Sequence, residues 1–411
     1  MSKQKNYQRW QRNVVKKRLK TRRVVVISGS RQCGKTTLVK QIMTKNDIFR
    51  TLDFENLLKM AASNPLDFVK HAQGTLIIDE VQKAPQLIPA IKIEVDANNA
   101  PGRFLLTGSA DLLTLPAVDE SLAGRVSHIR LRPLCVGEIL GKKPAFLETS
   151  FKRLWPMTFK GYDKATILKL AFRGGYPEVI NLEESERRQW HHDYAQSILR
   201  KDLRHIANIQ RQAAMEELLG VLAAWSGKLM DINDICGKLS VDRKTMVTYI
   251  NILISLFLFE RVFPWINTDY ERASKREKIF ITDAGLMASL LNYRLDDVLL
   301  DPDRSGKIIE TFVFTQLAAL CDLENSFLLR HYRDRTGREI DFVIENDQGE
   351  ILGIEVKSGS SFSPGDARHL RWFKQNIAKG KPFVGIILYT GEHTLSLGDD
   401  IYAVPMSALW Q

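Results

Sequence analysis

Acidic residues are missing from the first 23 positions of this 411-residue chain. Lys3, Lys5, Arg9, Arg12, Lys16, Lys17, Arg18, Lys20, Arg22 and Arg23 lie there, against a formal net charge of +11 for the whole. The remainder is therefore near neutral. That excludes a uniformly basic protein and confines long-range attraction for polyanions to this segment or to local patches. Cysteine is scarce as well. Cys33, Cys135, Cys236 and Cys321 are scattered without metal-ligand spacing, which fits a reducing, cytoplasmic setting. Long apolar runs are also lacking. The longest, Ile252–Phe259, is broken by Ser255 and is far too short to span a bilayer. No membrane partner is expected, and no secretory apolar region, internal repeat or low-complexity segment is present. A chain of this length, 44% apolar, has room for two to four domains.

The basic segment has two readings. Trp10, Val14, Val15 and Leu19 fall at roughly helical spacing, which predicts a short helix packed on the domain that follows. An acid-poor basic N-terminus also imitates an organelle targeting segment.

What is present begins with GSRQCGKT, Gly29 to Thr36, placed after the apolar run Val24–Ile27 and before the helical pattern of Leu38, Val39 and Ile42. Strand, glycine-rich loop and helix is the context that a G-x-x-x-x-G-K-[ST] phosphate cradle requires. Glycines let backbone N–H groups turn toward phosphates, and the helix presents its positive dipole end. The reading makes Gly29, Ser30, Arg31, Gln32, Cys33, Gly34, Lys35, Thr36 and Thr37 the cofactor-binding set, with Lys35 on the β- and γ-phosphates and Thr36 on magnesium. The alternative is a glycine turn beside a chance lysine.

A second apolar strand, Leu76–Ile78, ends in Asp79 and Glu80. Asp79 is a candidate magnesium ligand through water, and Glu80 a candidate for orienting the attacking water; two solvated acids at a strand end are the alternative. A third strand, FLLTGSAD, ends in Thr107 and Ser109. If it lies between the other two, a polar side chain there touches the γ-phosphate or the water; otherwise it is a plain turn. Arg125 in SLAGRV is the candidate positive charge at the γ-phosphate, in its own subunit or a neighbour's, or else a structural salt bridge.

GSRQCGKTTL, LIIDEVQ, LLTGS and LAGR, in this order, resemble a prokaryotic family of AAA-type P-loop ATPases with a C-terminal domain of unknown function. The resemblance covers nearly the whole chain and implies a three-layer α/β ATPase core with ATP and Mg2+. Ser30 and Cys33 stand where that family more often has proline and valine. Cys33 thus puts a thiol in the phosphate loop, either oxidisable through the helix N-terminus or an inert small apolar residue.

Beyond Pro133 the pattern turns helical, and the resemblance suggests a lid that continues from the ATPase. DINDICGKLSVDRKTMVTYINIL fits helix–turn–helix, with Ile232, Ile235 and Leu239 inward and Arg243, Lys244, Thr248 and Tyr249 outward. Arg272, Lys275, Arg276 and Lys278 then read as a basic wing before a strand, giving a winged helix that contacts DNA or serves as a packing element.

GREIDFVIENDQGEILGIEVKSG reads as two alternating strands about Gln348. Pairing them there sets Asp341 opposite Glu355, puts Lys357 on the same face, and buries Phe342, Ile344, Ile354 and Val356. Two carboxylates facing across a hairpin repel by on the order of 4 kcal/mol at an effective dielectric of 20, so a cation is expected. The pattern resembles the PD-(D/E)xK restriction-endonuclease-like core, with Ile340 in place of the proline. The resemblance implies metal ligands Asp341, Glu355 and, on the preceding helix, Glu310, with Lys357 activating water; a solvated hairpin imitates so short a signature. RHYRDRTGR, with Arg330, Arg333, Arg335 and Arg338, reads as a phosphate-tracking loop or a solvated one.

The expected division is residues 1–140 for the N-terminal helix and ATPase core, 141–210 for connector and lid, 211–300 for the winged helix, and 301–411 for the nuclease-like domain. The functional expectation is a cytoplasmic ATPase coupling nucleotide state to those modules and acting on nucleic acid. The alternative is a nucleotide-controlled switch that binds a protein partner with a silent nuclease-like domain. Either allows a homo-oligomer.

Overall fold

The computed structural model describes residues 6–109, 124–206, 212–239, 241–266, 276–324 and 326–411. The chain divides into two units, residues 1–134 with 255–258 and residues 135–254 with 259–411. Among the described residues no helix is long and apolar enough to cross a membrane.

The first unit opens with α1 (Gln11–Leu19), β1 (Val24–Ser28), α2 (Lys35–Ile42), β2 (Ile48–Thr51) and β3 (Leu76–Asp79). It continues with α3 (Leu87–Ala97), β4 (Phe104–Gly108) and β5 (Val126–Arg130). The sheet runs β2-β3-β4-β1-β5 and every pairing is parallel. Strands of such sheets are covered on both faces, so they read as continuous apolar runs. VVVIS, LIID and FLLTG obey this and are buried throughout. Their side chains split with period two. Val24, Val26, Ile78 and Leu106 pack with Leu87, Ile91 and Val95 of α3, whereas Val25, Ile27, Ile77 and Leu105 pack with Val15 of α1 and with Leu38 and Val39 of α2. The N-terminal basic segment therefore contributes a helix to the core. The sheet order places β4 between β3 and β1, so all three strand ends that carry the sequence motifs open on one edge of the sheet.

In the second unit, α4 (Glu184–Ile206) precedes α5 (Gln212–Ala224), β6 (Lys228–Leu229), α6 (Ile232–Leu239), α7 (Arg243–Ser255), β7 (Phe259–Val262) and β8 (Lys278–Ile281). The strands form an antiparallel sheet in the order β6-β8-β7. Asp242 caps α7 by accepting from the Thr245 N–H at 3.0 Å. Arg243, Lys244 and Thr248 are exposed, but Tyr249, expected outward, is buried among the apolar residues of α7. Arg272 and Lys275 of the expected wing lie outside the described residues.

After α8 (Ala284–Leu290), α9 (Pro302–Cys321) leads into β9 (Leu328–Arg333), β10 (Glu339–Glu345) and β11 (Ile351–Val356). Then come α10 (Arg368–Asn376), β12 (Phe383–Tyr389), β13 (Leu395–Ser396) and β14 (Ile401–Pro405). The six strands order as β13-β14-β12-β11-β10-β9. Phe342 pairs Ile354 and Val343 pairs Gly353, the register that turning about Gln348 requires. A register shift against β9 falls between Ile340 and Val343. This sheet has no solvated face at its centre. Phe342 meets Phe280 and Phe314, while Val343 and Ile351 pack with Leu370 and Phe373 of α10.

Candidate functional site

The loop between β1 and α2 is built tightly. A Cβ on Gly29 would lie 2.1 Å from the Leu131 carbonyl oxygen, so only glycine fits there. Gly34 takes φ 102° and Gln32 φ 60°, the left-handed region that turns successive N–H groups inward. Lys35, 4% exposed, donates to the carbonyls of Gly29 and Ser30, each at 2.9 Å. Among the described residues the buried Ser30 hydroxyl has no hydrogen-bond partner. Cys33 is fully buried, which sets it among the core residues rather than at an oxidisable surface. Arg9 braces the loop from the N-terminal segment, donating to the Cys33 carbonyl at 2.7 Å and the Arg132 carbonyl at 2.6 Å.

The ends of β3 and β4 meet this loop. Thr36 Oγ1 lies 3.1 Å from both carboxylate oxygens of Asp79. Thr107 donates to Asp79 Oδ1 at 2.5 Å and accepts from the Glu80 N–H at 3.1 Å. Glu80 sits at φ 60°, a left-handed strain tolerated where the surroundings over-determine it. Ser109 donates to Glu80 Oε2 at 3.1 Å, and Gln82 Nε2 donates both to that oxygen and to Ser109 Oγ at 2.9 Å. Ser109 thus contacts the water-orienting candidate directly. Gln82 was legible only as the last letter of LIIDEVQ and carried no role in the sequence.

Arg125 requires a correction. Its carbonyl accepts from the Val24 N–H, at the start of β1, whereas the phosphate loop follows the end of that strand. Five parallel-strand residues separate the two by about 15 Å. Its guanidinium is held by Asp96, Nε–Oδ1 2.6 Å and Nη2–Oδ2 3.2 Å. It does not reach the phosphate loop of its own chain.

In the second unit, the acids of the hairpin come together with a cation the sequence had placed elsewhere. Lys278, read as part of an exposed wing, is 2% exposed. Its Nζ lies 3.0 Å from Glu310 Oε1 and 2.6 Å from Glu339 Oε1. Burial opposes the lysine's charge, but Glu310, Asp341 and Glu339 outweigh it and drive its pKa upward. Burial pushes Glu310 up to about 7, with Lys278 opposing and Asp341 adding. Burial and then Asp341 hold Glu355 well above the usual carboxylate range, and burial raises Asp341. Asp341 accepts from the Val356 N–H at 2.8 Å. Among the described residues no three acidic, histidine or cysteine side chains are grouped to hold a metal ion. Lys357, the candidate water activator, pairs with Asp366 at 3.1 Å, and its charge also acts on Glu355 and Asp341.

The arginine-rich segment is partly paired within the chain. His331 and Tyr332 are buried, Arg333 pairs with Glu339 at 3.1 Å, and Arg338 pairs with Asp334 at 3.2 Å and lies over the Trp372 ring. Arg333 and Arg335 stay exposed and Arg338 half-exposed, as either a phosphate-tracking or a solvated segment would have them.

Residues 21–140 match the AAA domain family, residues 164–297 a domain of unknown function (DUF8612), and residues 305–409 a second (DUF4143). Uncharacterized proteins of Mycobacterium tuberculosis and Mycobacterium bovis are each 30% identical over 386 residues, covering 93% of this chain and 80% of their own. An uncharacterized protein of Haemophilus influenzae is 23% identical over 400 residues, covering 90% of this chain and 89% of its own. Among solved structures, the Walker-type ATPase of Pyrococcus abyssi is similar over 69% of this chain and 94% of its own, at 12% identity and TM-score 0.43.

Proposed function

Since the chain belongs to the family of AAA-type proteins that carry a C-terminal DUF4143 domain, we propose that its first unit binds ATP with magnesium and hydrolyses it. The observation that carries this is the Thr36 hydroxyl placed on the Asp79 carboxylate beside the Lys35 ammonium. Thr36 and Asp79 would hold the magnesium that accompanies the triphosphate, and that ion supplies positive charge to the phosphate oxygens. The buried Ser30 hydroxyl, without a hydrogen-bond partner among the described residues, and the left-handed turn at Gly34 fit a phosphate cradle. Lys35 exchanges its two carbonyl partners for phosphate oxygens. Glu80 orients the attacking water, held in place by Ser109 and Gln82. Thr107 ties the carboxylate of Asp79 to the backbone of Glu80, so that metal and water positions move together.

The nucleotide state is coupled, in this reading, to the second unit. The order helix, strand, helix, helix, strand, strand over α5 to β8 supports a winged helix, with Arg243 and Lys244 on its exposed face. The order α9, β9, β10, β11, α10, β12 supports a PD-(D/E)xK-like core. A switch with a hydrolytically silent nuclease-like domain is favoured over a nuclease by Lys278, which already pairs with Glu310 and Glu339 of the carboxylate cluster. Nucleic acid or a protein partner remains the target of that switch, and Arg125 serves phosphate only in a neighbouring copy.

The test is ATP turnover with and without single- and double-stranded DNA. Glu80→Gln retains nucleotide binding and loses hydrolysis by at least roughly a hundredfold, and Lys35→Ala loses binding. Hydrolysis at the native rate in Glu80→Gln overturns the site assignment. Stimulation by DNA selects the nucleic-acid reading; indifference to it selects the protein partner.

A further inference from the structure

Glu310, Glu339, Asp341 and Glu355 come from α9, β10 and β11, yet the cation among them comes from β8, more than thirty residues before the first of these, counting from Lys278 to Glu310. A PD-(D/E)xK-like sheet implies a divalent metal between such carboxylates, and the residues here do not fit one. The ammonium of Lys278 takes the bonds to Glu310 and Glu339 at 3.0 and 2.6 Å from a side chain that is 2% exposed. No metal-holding group is assembled among the described residues. The lysine of the Glu-x-Lys signature makes its ion pair with Asp366 at 3.1 Å and acts on Glu355 and Asp341 only through its charge. Glu355 is 8% exposed, and among the described residues its Oε1 is buried without a hydrogen bond, so the cluster contains carboxylate capacity that no described donor fills.

We infer that Lys278 is the resident cation of this carboxylate site, a covalently tethered ammonium that excludes the divalent metal such a site would otherwise take. The inference rests on reading the six-stranded sheet as nuclease-like, and it is independent of whether the first unit hydrolyses ATP. A buried ion pair is costly to break from one side, because the remaining charge stays uncompensated. Removing Lys278 therefore leaves acids that need a replacement cation, and Mn2+ in solution can supply it. The same bonds pin β8 of the three-stranded sheet to α9 and β10.

The experiment is Mn2+ titration of the whole 411-residue chain, free of nucleotide, by calorimetry and electron paramagnetic resonance. It compares wild type, Asp341→Asn, Lys278→Met, Lys278→Gln and Lys278→Met combined with Asp341→Asn. Wild type and Asp341→Asn are expected to be indistinguishable. Lys278→Met or Lys278→Gln gains one site, tighter than anything in wild type by roughly a hundredfold or more, and Asp341→Asn removes it again. If Lys278→Met folds only when Mn2+ is present, that rescue supports the inference equally. Mn2+ binding in wild type that Asp341→Asn abolishes overturns it, whatever the Lys278 variants do. A folded Lys278→Gln with no gained site overturns it too. ATP turnover of the same samples reports separately on the first unit.

Discussion

His191, on α4, has no exposed surface, and its Nδ1 lies 2.9 Å from the Ser289 hydroxyl on α8. Burial lowers its pKa from 6.5 to about 3, with Arg187 and His192 adding to the effect. The sign follows from which state takes the proton. Above pH 6.5 the ring is neutral folded or unfolded. As pH falls below 6.5 the unfolded chain binds a proton that the folded chain refuses until about pH 3. Stability is therefore lost through that window, by up to about 1.4 kcal/mol per pH unit. His331, likewise lowered to about 3 by burial and then Lys278, adds a second such slope, while Glu310 and Glu355 act in the opposite direction. The comparison must therefore be between variant and wild type. His191→Phe, placed against Tyr176 and Trp190, is expected to lose about 1.6 kcal/mol less than wild type between pH 6.5 and 5, read from denaturant midpoints. Equal slopes would show that His191 titrates normally in the folded protein.

At the scale of elements, the N-terminal segment works as a brace. Its charge suggested attraction to polyanions, yet Arg9 is 5% exposed and spent on two carbonyls, one in the phosphate loop. Arg9→Ala leaves those carbonyls buried and unsatisfied, at about 1–3 kcal/mol each. A lowered Tm and a weakened nucleotide affinity are expected together, whereas exposed Lys16→Ala shifts Tm by less than about 0.5 kcal/mol equivalent. An unchanged nucleotide affinity in Arg9→Ala would separate the brace from the loop's function. Which elements the sequence revealed follows from their burial. β1, β3 and β4 are covered on both faces and read as unbroken apolar runs. β2 (IFRT) and β5 (VSHIR) are half-exposed and mixed, so neither periodicity nor apolar length marks them. The register of β10 on β11 was legible because a polar turn and period-two alternation fix it locally. Lys278 was not. In sequence it ends a basic run, and only pairing of β8 on β7, together with α9 and β10, turns it inward.

At the scale of the whole chain, each unit has its own apolar core, so unfolding should resolve into two calorimetric transitions. A nucleotide switch makes a sharper demand. A non-hydrolysable ATP analogue with Mg2+, at a hundred times its Kd, stabilises the unit that binds it by about 2.7 kcal/mol. The transition moved by Arg9→Ala identifies the first unit, and the one whose acid sensitivity changes in His191→Phe identifies the second. If nucleotide state is transmitted along the chain, the analogue moves the second transition as well, by the coupling free energy, of order 1 kcal/mol for a working switch. The full shift appears in the first transition and a smaller one in the second. Lys35→Ala must abolish both, since neither unit can respond to a ligand that does not bind. A second transition that stays fixed while the first rises leaves an ATPase whose hydrolysis does not inform the rest of its own chain. The coupling reading would then fail while the site at Lys35, Thr36, Asp79 and Glu80 stood.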